Sequence, residues 1–290
     1  MSGHLMDDVG GKSGRAIFGR WRGDQHGPIA RLISPDALGE RLKPFIFLDH
    51  FNAEIEPGFG FGMHPHSGIA TLTWQPGSDV RYQDTTGQNG VLKAGGLEWM
   101  NAGGGAFHRG ELLGHGRVTG FQLWVPMPPD LEDGPAFGQY APPQDVRSLN
   151  VEGGSITVLL GEVREGDGLA KSPIQSPHDM AYFVVALAEG AAWRYAPPPQ
   201  HDVAWAYGFE GQPAVQGADF NGDLLVFSGT GPLAFSAPHG PARILVGTAS
   251  RYPYPLVLGR SSVHSNARSL KMGERRIGLL RQELAAAGRL

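Results

Sequence analysis

Short apolar stretches, each closed by Gly, Pro, Asn or Asp, recur along the whole chain. Their length and their β-branched and aromatic content fit strands rather than helices. Ala16 to Ile33, broken by Gly27-Pro28, predicts two short strands, and Pro44 to Phe51 and Ile69 to Trp74 predict longer ones. Val80–Asp84 and Gly90–Lys93 flank a turn-rich segment from Thr85 and read as a hairpin, and Gly120–Val125 is a strongly apolar strand. After a proline-rich stretch, Pro126 to Asn150, the pattern resumes in Ser155–Leu160, Met180–Leu187, Ala191–Tyr195, Asp223–Phe227, Pro232–Ser236 and Arg243–Gly247. Two β-domains of similar size are expected, at residues 15–140 and 141–290, after a loose polar arm. Near the end the period changes. Leu270, Ile277, Leu280 and Leu284 recur at helical spacing, with Ser265 or Asn266 as cap and Gly288 as stop. The basic residues of this helix, Arg268, Lys271, Arg275, Arg276 and Arg281, read as a solvated face.

Composition narrows the chemistry. The absence of Cys removes disulfides and thiolate ligands, leaving His and carboxylates to bind any metal. A formal net charge of −4 argues against nucleic acid as a partner. The N-terminal twenty residues do not read as a secretory signal, and no apolar run reaches the ~18 residues of a membrane span, so a soluble cytoplasmic protein is expected. The 44 glycines and 23 prolines follow no short period, which excludes a collagen-like repeat and favours many turns.

Candidate chemistry centres on His64-Pro65-His66. In a strand, residues i and i+2 share a face, so the pair presents two imidazoles to one point. The spacing Gly58, five residues, His64-x-His66, three residues, Ala70, six residues, Gly77 resembles the first motif of the cupin superfamily, except that an acid usually stands at the position of Ala70. The likeness extends to Phe47-Leu48-Asp49-His50-Phe51, to Glu98-Trp99-Met100-Asn101-Ala102-Gly103 followed by His108, to Phe121-Gln122-Leu123-Trp124-Val125, and to Tyr254-Pro255-Leu256-Val257-Leu258-Gly259. In this order they resemble the pirin family over most of the chain.

That resemblance implies an all-β bicupin, two double-stranded β-helix (jelly-roll) barrels with a C-terminal α-helix, and a metal in the first barrel only. It makes His64, His66 and His108 the metal ligands. The family's carboxylate ligand falls at Gly110 here, so either Glu111 supplies the carboxylate, as fourth ligand or as base, or water completes a three-His site. Tyr82 and Gly96 also stand where the family carries His and Asp. Fe(II) is the implied metal, with Zn, Ni, Cu or Mn as other divalent candidates. The implied activity is a quercetin 2,3-dioxygenase-type oxygenation of a small aromatic or flavonol-like substrate. The rival reading is a non-catalytic metal-binding regulatory or stress protein acting through protein partners, and a monomer is expected in either case. His50 reads as a core or turn histidine, Trp74, Trp99, Trp124 and Phe61 as core with one of them as an alternative pocket-lining residue, and His178, His201 and His239 as too scattered for a second site.

Overall fold

The computed structural model describes residues 14–290, so the expected N-terminal arm lies outside the described residues except for Gly14 and Arg15. Two seven-stranded antiparallel sheets dominate. The first runs, in spatial order, Phe137–Ala141, Leu97–Asn101, Ile69–Trp74, Gly116–Pro126, Phe47–Ile55, Ile29–Ile33 and Asp24–His26. The second runs Ala16–Trp21, Leu224–Ser228, Val203–Gly211, Ala242–Ala249, Met180–Leu187, Gly154–Leu160 and Ser148–Val151.

Period-two alternation explains how the two sheets meet. Val203, Trp205 and Tyr207 point into a shared core with Leu72, Trp74, Trp99, Phe121 and Leu123 of the first sheet, while Ala204 and Ala206 point the other way. Their far faces are covered by four-stranded sheets. Ala192–Tyr195, Leu233–Ser236, Ala214–Val215 and Ala218–Asp219 cover the second sheet, and Gly60–His66, Ala106–Leu112, Val80–Asp84 and Asn89–Leu92 accompany the first.

The two expected barrels are not formed. Among the described residues every sheet is open, and each half is a sandwich of a seven-stranded and a four-stranded sheet with free edge strands. Alternation in a sequence reports which faces are buried, and both architectures bury the same faces; which edges pair is decided by contacts far apart in sequence. Ala16 to Ile33 forms three strands rather than two, and Ala16–Trp21 pairs with Leu224–Ser228, at the edge of the sheet built by the later half of the chain. The chain crosses between sheets after Phe137–Ala141 and before Ser148–Val151.

The C-terminal helix Ala267–Ala286 starts at Asn266, whose side chain accepts a hydrogen bond from the Ser269 amide. Ile277, Leu280 and Leu284 bury against Phe107, so the helix braces the strand that carries His108. Just before it, Ser262 to Ser265 are tied to the first half. Val263 donates its amide to the Ser67 carbonyl, Ser67 Oγ donates to Ser262 Oγ at 2.8 Å and lies 3.0 Å from His264 Nε2, and Ser265 donates through its hydroxyl and its amide to buried Glu132. Among the described residues no helix is long and apolar enough to cross a membrane.

Candidate metal centre

Strands Gly60–His66 and Ala106–Leu112 pair antiparallel, with His108 opposite His64 and Ala106 opposite His66. Residues two apart share a face and so do direct cross-strand partners, so the three imidazoles stand together. Ring centroids are 4.4 Å apart for His64 and His108, 5.0 Å for His64 and His66, and 5.2 Å for His66 and His108. Their ligating nitrogens all lie within 4.8 Å of one another, and among the described residues this is the only such group of His or carboxylate side chains. His178, His201 and His239 gather no second site.

Hydrogen bonds set the direction of each ring. His64 Nδ1–H donates to the Gly62 carbonyl at 2.7 Å and His66 Nδ1–H to the Ser261 carbonyl at 3.0 Å. Glu98 Oε1 lies 3.4 Å from His108 Nδ1. A carbonyl can only accept, so the proton of His64 and of His66 sits on Nδ1 and Nε2 keeps its lone pair. The Nε2 atoms of His66 and His108 are buried without a partner. Buried polar atoms are seldom left unpaired, and nitrogens of this kind fit a divalent metal. Burial, aided by the neighbouring His108, holds His64 down at about 4, and burial drives His66 well below its ordinary range. Both are therefore neutral at pH 7, as ligation requires.

A cavity of ≈ 70 Å³ adjoins His64 and His108. Its walls are mainly apolar, with Ile29, Phe51, Phe61, Val80, Leu112 and Phe121, and Asp49, Thr73, Gln75, Glu98 and Gln122 add polar groups. Asp49 is held by Arg31 through two bonds of 3.0 Å. Phe61, expected in the core, is 44% exposed, whereas Trp74 and Trp99 are buried. His50 is a core histidine, bonded to Tyr207 Oη at 2.9 Å and Thr119 Oγ1 at 2.8 Å.

Glu111 lies elsewhere. Against Val80–Asp84 the strand Ala106–Leu112 keeps an unbroken register from His108 to Leu112, so Glu111, three residues on from His108, faces the opposite side. There it pairs with Arg81 at 2.8 Å and lines an outer groove with Gly60 and Gly62. The pairing with Gly60–His66 does slip between His108 and Gly110, yet Glu111 stays opposite Arg81 and outside the group of three histidines. Gly110 shares the His108 face and lines the cavity. Ala70 belongs to the core between the two large sheets, and Tyr82 stacks on Tyr140 at 4.0 Å.

Glu98, which is 4% exposed, was visible within a motif but not as a site residue. The available signal is a lone carboxylate in a strand, Leu97–Asn101, whose other residues are apolar except Asn101, on the face opposite Leu97 and Trp99. Ser261 acts through its backbone carbonyl, for which no side-chain pattern exists.

Residues 29–125 match the pirin family. A provisionally named quercetin 2,3-dioxygenase of Pseudomonas aeruginosa is 35% identical over 189 residues, which is 61% of this chain and 64% of that protein. The chain thus spans just under two thirds of that relative's length. A pirin-like protein of Caulobacter vibrioides is 30% identical over 228 residues, covering 74% of this chain and 76% of the relative. Among solved structures, a quercetin 2,3-dioxygenase from Acinetobacter baumannii superposes with a TM-score of 0.82 over 92% of this chain and 97% of that one, at 22% identity, a likeness of fold. With these matches added to its converging histidines, the chain belongs to the pirin family.

Proposed function

We propose that this protein is a mononuclear metal-dependent oxygenase of the quercetinase type, with His64, His66 and His108 as the ligands of a divalent metal, Fe(II) first among the candidates. The observation that carries the reading is the arrangement of the three imidazoles: each Nδ1 is engaged from behind, and the buried Nε2 atoms of His66 and His108 have no partner. The relatives named for quercetin 2,3-dioxygenation support the reaction class. A bound divalent metal would supply Lewis-acid activation of an enediol-like hydroxyl and a route to O₂ chemistry. The chain's own part is to bind and shield. Phe51, Phe61 and Phe121 give the cavity beside His64 and His108 flat apolar walls, and at ≈ 70 Å³ it has room beside the ligand cluster for one edge of a small aromatic or flavonol-like ring, not for the whole of it. Glu111, engaged by Arg81, is left out of the ligand set, so water or substrate oxygen completes it.

The test is the metal content of anaerobically purified wild type and His66→Ala, with flavonol absorbance and O₂ uptake followed on the same samples. Near-stoichiometric metal and turnover in wild type, both lost in His66→Ala, are expected. Metal binding without turnover would favour the non-catalytic regulatory reading, and no metal even after reconstitution would refute both.

A further inference from the structure

Three neutral imidazoles leave the +2 charge of a metal without an anionic protein ligand, and the residue nearest to making good that charge is Glu98. Its strand, Leu97–Asn101, lies between Ile69–Trp74 and Phe137–Ala141, with Thr73 and Tyr140 as its cross-strand neighbours. Leu97 and Trp99 enter the core between the large sheets, so alternation turns Glu98 toward the histidines. Its side chain and that of His108 are each 5% exposed, and among the described residues His108 is its one hydrogen-bonding partner, at 3.4 Å. A buried carboxylate with so little compensation is costly unless a cation stands nearby.

The three rings are not held alike. His64 and His66 are oriented by backbone carbonyls, which are dipoles, but His108 faces a carboxylate. We propose that Glu98 is a positioning residue acting on the metal through His108: it holds the ring with Nδ1–H toward itself and Nε2 toward the cluster, and supplies from behind the ring the negative charge that the ligand set lacks. Contact is on the Nδ1 side, so Glu98 does not compete with His108 for the metal. A carboxylate accepting from a ligating imidazole raises the basicity of that ligand. This inference rests on the reading of the three histidines as ligands, and places in an outer position the charge that the family pattern puts at the position of Gly110.

The experiment uses Glu98→Gln and Glu98→Leu in the full-length chain, with Zn(II), Co(II) and azide as probes. In a chelator competition, Zn(II) affinity should fall about 10–100-fold in Glu98→Leu and less in Glu98→Gln, whose amide oxygen still accepts from Nδ1–H. In the Co(II)-loaded proteins, followed by ligand-field absorption, azide should bind several-fold tighter to Glu98→Gln than to wild type. A carboxylate that only filled space would alter the melting temperature of the metal-free protein and leave azide affinity alone. Should Glu98→Leu fail to fold, the near-isosteric Glu98→Gln carries both measurements. Wild-type affinities for Zn(II) and azide in Glu98→Gln overturn the inference while the three-His reading stands. A wild-type protein that takes up neither Zn(II) nor Co(II) overturns both.

Discussion

Gly110→Glu is a direct probe of where the metal sits. Gly110 shares a face with His108, lines the same cavity, and stands where the family pattern has its carboxylate. A Cβ built there meets only Val80 Cγ1 within 4 Å, at 3.5 Å, and Gly110 is not among the glycines of positive φ, so the substitution fits. Replacing a strand-interior glycine favours the backbone by roughly 0.5–1 kcal/mol. Placing a carboxylate in the cavity costs several kcal/mol when no cation is present. The metal-free variant should therefore melt below wild type. With metal bound, attraction between unit charges ~4 Å apart at an effective dielectric of ~20 is about 4 kcal/mol, and more for a divalent ion. Against the desolvation cost this leaves a net gain of about 1–3 kcal/mol, or ~5–150-fold in affinity. Chelator competition with Zn(II) reads the affinity, and melting with and without metal reads the crossover, since a metal at 100 times its Kd stabilises by about 2.7 kcal/mol. A folded Gly110→Glu protein with unchanged or weaker Zn(II) affinity would show that this face of the strand does not look onto the metal.

Two further outcomes follow from the packing. Gly68 has φ of 72°, and a Cβ there would lie 2.1 Å from the Val263 carbonyl oxygen and 2.8 Å from the His264 ring, so Gly68→Ala should cost more than ~3 kcal/mol in denaturant melts. Because Ser261, the acceptor for His66, belongs to the displaced segment, metal affinity should fall as well; wild-type stability would refute the close approach. The second concerns acid. Burial pushes His50 and His178 down to about 4 from an ordinary 6.5, so the unfolded chain takes up these protons first as pH falls. Stability is then full above about 6.5 and is lost toward pH 4, at about 1.4 kcal/mol per pH unit for each histidine inside that window. Asp49, raised by burial, opposes this only at the acid end. Urea midpoints of the metal-free protein should drop between pH 7 and 4.5, and a constant midpoint would refute the assignment.

Much of the candidate site was legible because it is local. His64 and His66 share a face through period two, and the same alternation accounts for Trp74, Trp99 and the strands of the second half. His108 was reachable only through resemblance, since its place opposite His64 depends on pairing between strands about forty residues apart. The fate of Glu111 turned on register: a shift of one residue would have moved it to the His108 face, and the unbroken ladder to Val80–Asp84 holds it on the other.

By itself, then, the sequence determined the all-β content, the capped C-terminal helix and the paired histidines, because propensity, capping and alternation act over a few residues. Tertiary structure alone decided that the sheets stay open, that Ala16–Trp21 joins the later sheet, and that the Ser261 carbonyl and the Glu98 carboxylate stand behind His66 and His108. Each of these is a contact between groups distant in sequence, or one made by a backbone atom. Neither leaves a period in the order of side chains.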